Sequence, residues 1–310
     1  MDNARLMAKF DEVVSIYPES TSYFSKPETG LDPNLFSGDR IKSWVRNSIL
    51  RLLIDHLVIQ YAYPEKWVHA WLAGSGVSYQ WSAARDPGDL DCLVGIDYPT
   101  FRRLNLDLAG LSDVEIASMF NEGFNQDLIP QTKNWHGYEL TYYVNPQSDI
   151  RDINPYAAYD LTEDNWTVEP NPSIAAPHSR AWEQQAKRDY DMAMEIVSRF
   201  QVALADLKAS PNDAYRINAE RRLQLAVDQA IAFYEDIHEG RKEAFSRTGA
   251  GYYDFHNYRW QAGKKSGVIP ALKAIKTYRD EAQKEMQLDV YGVELPTART
   301  LIRRVAQKKP

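Results

Sequence analysis

The sequence predicts an α+β protein: a small mixed β-sheet unit with flanking helices, followed by an all-helical C-terminal domain. Three observations carry that expectation. Short apolar runs with turn residues around them cluster before residue 150. Long stretches with helical periodicity fill the chain after residue 179. A polar, proline-bearing stretch separates the two.

The elements follow in order. Residues 1–38 form an N-terminal extension, and PESTSYFSKPETGLDPNLFSG within it is rich in turn-forming and acidic residues. It either wraps the body or stays loose. Over 39–61, Ile41, Val45, Ile49, Leu52, Leu53 and Leu57 recur at helical spacing, with Asp39 placed to cap the start. His56 in this helix reads as a packed side chain. WVHAWLAG (67–74) reads as a strand that runs into a glycine turn, and DLDCLVGI (89–96) as a second strand. Asp97 reads as the cap after it, with a short helical stretch opening at Pro99 and Thr100. Ser112 and Glu115 have the spacing of a capping box for a helix near 113–124. In GYELTYYVN (137–145), Tyr138, Leu140, Tyr142 and Val144 alternate with Glu139, Thr141 and Tyr143, the period of a strand.

The domain expectation is a core over 39–150, a linker over 151–178 and a helical domain over 179–310. Helices are predicted at 179–208, 212–246, 267–287 and 296–308, the first two forming an antiparallel hairpin broken at Ser210 and Pro211.

The bulk numbers exclude several classes. With one cysteine, Cys92, the chain cannot form an internal disulfide, which fits a reducing, cytoplasmic setting. The six histidines show no zinc-site spacing. The start lacks a signal-peptide pattern, and charges interrupt the longest apolar segments, so no membrane span is expected. The net charge is −7, yet residues 251–310 carry 12 Lys and Arg against 6 Asp and Glu. That basic end is either a polyanion-contact surface or a solvated helical face.

The chemistry concentrates at Asp89-Leu90-Asp91. Residues i and i+2 of a strand share a face, so two carboxylates project together. Like charges at close range are costly, and a divalent cation relieves that cost with hard oxygen ligands. Asp-x-Asp also arises in turns and strand caps. Gly74-Ser75-Gly76 adds a turn where backbone and hydroxyl can approach phosphate oxygens, although such a triplet also serves as a plain loop.

Strand, Gly74-Ser75, thirteen residues, then Asp89-Leu90-Asp91 leading an apolar strand resembles the nucleotidyltransferase superfamily typified by DNA polymerase β. The resemblance covers residues 67–145. Gly88 departs from it, since a bulky residue ordinarily precedes the first Asp. The resemblance implies transfer of a nucleoside monophosphate from an NTP, such as ATP, to a hydroxyl with release of pyrophosphate. It implies two Mg²⁺ or Mn²⁺ ions on Asp89 and Asp91, completed by a third carboxylate on a later strand. Glu139 is the candidate for that third position, where the family often has Asp. Gly74 and Ser75 would hold the β- and γ-phosphates, with Arg85 and Lys264 as further phosphate contacts. The acceptor stays open among RNA or a tRNA end, a protein side chain and a small molecule.

In FHNYRWQAGKKSG (255–267), aromatic and basic residues interleave, as a base-stacking surface or as packing. Two other readings remain: a catalytically inactive binding protein on the same fold, and another Mg²⁺-dependent phosphoryl-transfer or hydrolytic enzyme. The second alternative is disfavoured because the Asp pair opens its strand. The oligomeric state is not specified by the sequence.

Overall fold

The computed structural model describes residues 18–19, 21–82, 88–147, 149–292, 296 and 300–301. The chain divides into two compact units, a sheet unit centred on residues 22–175 and a helical unit centred on 176–244 and 252–295. The α+β class holds: a five-stranded mixed sheet and a two-stranded sheet, with a helical C-terminal region.

In the sheet unit, β1 (Phe36–Ser37) and β2 (Arg40–Ile41) form a small hairpin before α1 (Ser43–Val58). Asp39 is therefore not the cap of α1. Lys42 holds that position, and the Asp39 carbonyl accepts the indole N–H of Trp166 at 2.7 Å instead. Next come β3 (Val68–Ala73), β4 (Gly88–Ile96), α2 (Tyr98–Leu104), α3 (Asp113–Gly123) and β5 (Tyr138–Tyr143). Asp97 caps α2 by accepting the Thr100 N–H, and Ser112 with Glu115 forms the expected capping box of α3.

Residues 151–178, expected as a linker, instead supply β6 (Ala158–Asp160) and β7 (Asn165–Val168). The strand order is β5-β4-β3-β6-β7. β4 and β5 run parallel, as the helical crossover between them requires, and the other neighbours are antiparallel.

The register sorts the two sheet faces. Ala70, Leu72, Leu90, Cys92, Val94, Leu140, Tyr142 and Tyr159 enter the main core with α1 and α3. Trp71, Ala73, Leu93 and Ala158 belong to a smaller apolar cluster on the opposite face. Burial also reaches back into the extension, where Tyr23, Asp32, Leu35 and Phe36 are buried, so residues 22–37 wrap this unit.

In the helical unit, α4 (Arg180–Lys208) and α5 (Asp213–Ala244) form the expected hairpin, joined across Ser210 and Pro211. Ala193, Ile196, Val197, Phe200, Ala203 and Leu204 line its seam at helical spacing. A helix not foreseen, α6 (Phe255–Ser266), precedes α7 (Val268–Tyr291). Gly267 turns the chain between them at φ +86°. Gly263 lets α6 and α7 close on each other, since a Cβ there would sit 2.9 Å from Ile269 Cγ1. The helix expected at 296–308 lies almost wholly outside the described residues. No helix among the described residues is long and apolar enough to cross a membrane.

Candidate active site on the sheet edge

The acids follow directly from the register. In the parallel pair β4–β5, Asp89 stands opposite Glu139 and Asp91 opposite Thr141. Leu90, Cys92, Leu140 and Tyr142 fill the main core, so alternation sends Asp89, Asp91, Glu139 and Thr141 to the other face together. All four are half-buried. The Thr141 hydroxyl donates to Asp91 Oδ1 at 2.9 Å. Burial and the neighbouring Asp91 charge push the Cys92 thiol well above its ordinary range, which marks Cys92 as packing rather than a nucleophile.

The Gly-Ser turn sits against this pair. Gly74 has φ +93°, a conformation open to glycine, and a Cβ there would lie 3.3 Å from Asp91 Oδ2. Ser75–Val77 forms a single 3₁₀ turn, and Ser78 ties it down by donating to the Ser75 carbonyl. A Cβ on Gly76 would collide with the Asp89 carbonyl oxygen at 2.4 Å, so this turn packs directly on the start of β4. Gly88, the departure from the expected motif, has a steric cause. The Tyr138 ring occupies the space its side chain would take, with Cδ1 2.6 Å from an added Cβ.

Among the described residues, no group of three or more His, Cys, Asp and Glu side chains stands close enough together to hold a metal ion as placed. Asp89, Asp91 and Glu139 carry hard carboxylate oxygens, the donor chemistry that Mg²⁺ or Mn²⁺ takes, and Gly74 lies against Asp91.

No family model, curated protein or solved structure matches the chain. The functional reading therefore rests on the residues themselves.

The other expected contacts fare differently. Arg85 and Asp86 lie outside the described residues. Lys264 belongs to α6 of the helical unit, where its ammonium is 3.4 Å from the Glu19 carboxylate, so its charge is matched there. Tyr258 and Trp260 are buried within that unit, against Trp182 and against Tyr234 and His238. They pack rather than present a stacking surface. Arg259 bridges Asp189 at 2.7 Å and Asp236 at 2.6 Å.

Sequence reasoning missed several polar groups. Thr141 was findable, being two residues past Glu139 on the same face. A groove of about 520 Å³ beside the start of β3 was not. His69 lies in it, with Nε2 2.6 Å from Asp160 Oδ2 and its ring over Trp71 at 4.3 Å. His69 is four residues before Ala73, about 13 Å along the strand, out of reach of the acids. Its partner Asp160 sits on a strand the sequence did not reveal.

Proposed function

We propose that the β4–β5 edge is a metal-dependent nucleotidyl-transfer site, moving a nucleoside monophosphate from an NTP to a hydroxyl acceptor with release of pyrophosphate. One observation carries this reading: Asp89 and Glu139 stand in register on parallel strands, with Asp91 next on the same face and Gly74 against it.

Asp89 and Asp91 would hold the divalent ions, with Glu139 completing the set on the attacking side. When bound, such ions polarise the phosphoryl oxygens and shield the leaving pyrophosphate. The chain's own part is positional. Thr141 fixes one oxygen of Asp91, which sets the direction of the other. Gly74 and Ser75, at the turn, would hold the β- and γ-phosphates through backbone N–H groups and the Ser75 hydroxyl. Glu139 would help accept the proton of the attacking hydroxyl. Positioning and charge neutralisation supply most of the acceleration in reactions of this kind.

The test is incubation with each labelled NTP, Mg²⁺ or Mn²⁺, and RNA, protein or lysate as acceptor. Asp89→Asn and Asp91→Asn should each cut label transfer by on the order of 10²–10³-fold with the fold intact by circular dichroism. Undiminished transfer in either variant removes the site from consideration. NTP binding that survives both substitutions, with no transfer from wild type, assigns a non-catalytic binding role instead.

A further inference from the structure

The groove of about 520 Å³ beside the start of β3 holds a second set of polar groups in the sheet unit. Along β4, Asp89, Asp91, Leu93 and Gly95 share one face, and Gly95 stands opposite His69. Trp71 and Leu93, paired and buried, come between the groove and the acids. His69 is fixed in this groove. Its Nε2 meets Asp160 at 2.6 Å, and its ring lies over Trp71. Asp160 is buried and held in turn by the N–H groups of Thr162 and Glu163. His69 Nδ1 has no hydrogen-bond partner among the described residues, and the side chain is 33% exposed, so a ligand can reach it.

The lining mixes both signs of charge, yet its open hydrogen-bonding capacity lies on the donor side. Each carboxylate in it has both oxygens engaged. Asp160 is held as above, Asp97 accepts the Thr100 N–H and hydroxyl, and Asp149 takes Arg151 through two guanidinium nitrogens. The donors are not used up. Arg151 leaves Nη1 without a partner among the described residues, and its side chain is 78% exposed. Lys66 is exposed and meets the Tyr63 ring. The Thr167 hydroxyl accepts the Trp71 indole N–H and keeps its own proton to give. Hydrogen bonding from Arg151 chiefly, and the nearby His69 charge in lesser part, hold the Asp149 carboxyl below its usual range, so the Asp149–Arg151 pair lies near His69. Unused donors around a fixed imidazole suit an acceptor-rich anion. A phosphate monoester brings three acceptor oxygens and, singly protonated, can also give its proton to Nδ1. The groove has the size of a small-molecule site, with Trp71, Ile96 and Ile150 as apolar lining.

We propose that this groove binds a small molecule carrying a phosphate monoester, with Arg151 and His69 on the phosphate oxygens. Lys66 adds charge at the rim, and the apolar lining meets the rest of the molecule. The proposal stands on the groove itself and does not require the nucleotidyl-transfer reading.

Its test uses the full chain with EDTA and without nucleotide. Phenyl phosphate is titrated by calorimetry into wild type, Arg151→Gln and His69→Gln, with benzoate and phenol as control ligands. Wild type should bind phenyl phosphate more tightly than either control. Arg151→Gln and His69→Gln should each weaken that binding roughly tenfold. No detectable binding of phenyl phosphate to wild type overturns the proposal. So does a Kd left unchanged in either variant, which places the phosphate elsewhere. Benzoate binding as tight as phenyl phosphate overturns the phosphate assignment in favour of a carboxylate ligand. Should His69→Gln not fold, the exposed Arg151→Gln decides. None of these outcomes bears on label transfer from NTP.

Discussion

At the scale of single residues, His69 and Asp160 show how one pair sets a charge state. Burial raises the Asp160 carboxyl, but the His69 hydrogen bond and the N–H groups of Glu163 and Thr162 outweigh it and hold the carboxyl below its usual range. A carboxyl depressed in the folded state stabilises above its unfolded value, near 3.9, and that contribution fades as pH falls through the folded value. Replacing His69 by Ala removes the main lowering influence. The stability gap between wild type and His69→Ala should therefore narrow as pH falls below about 4. Urea midpoints for both proteins at neutral and acid pH measure it; a gap of constant size would show that the pair contributes nothing through ionisation. At the same scale, Gly88 shows why a motif departs from its pattern. The position is small because Tyr138 has taken its space, and Tyr138 is held there by Asp32.

At the scale of elements, the signals that worked were local. The Ser112–Glu115 capping box is a contact between residues three apart, so sequence spacing alone specified it. Its weight is measurable. Ser112→Ala should cost about 1 kcal/mol of unfolding free energy, since it frees an N–H at the start of α3. A denaturant titration showing no loss would mean that the sheet packing of α3 makes the cap redundant. Elements without such local marks were missed. β6 and β7 have three and four residues, too few to show a period, and prolines flank them. They are strands because β3 and its neighbours offer an open edge to pair with. Helix α6 was missed because Gly263 and a run of polar residues blur its period; packing against α7 is what uses that glycine.

At the scale of the whole molecule, each unit is closed by contacts far apart in sequence. In the helical unit, Arg259 of α6 reaches Asp189 of α4 and Asp236 of α5, joining three helices through one guanidinium. Asp189 is buried and Arg259 nearly so. Arg259→Ala should destabilise this unit by roughly 3 kcal/mol, because it strands a buried carboxylate. The double variant Arg259→Met with Asp189→Leu should recover most of that loss. Unfolding midpoints separate the two cases, and a loss below about 1 kcal/mol in the single variant would refute the role assigned to the pair. The sheet unit likewise gathers residues 245–251, whose Phe245 carbonyl accepts the Asn154 N–H at 2.9 Å. No reading of local pattern could have placed that segment.

The sequence by itself determined the α+β class, the strands carrying Asp89, Asp91 and Glu139, the common face of Asp89 and Asp91, and the hairpin of α4 and α5. Each of these follows from alternation or helical period, which are properties of a few neighbouring residues. Only the tertiary structure decided that Asp89 lies opposite Glu139, that Thr141 steadies Asp91, and that His69 meets Asp160. Those facts depend on strand order and register, which arise when distant segments compete for the same sheet edge and core volume.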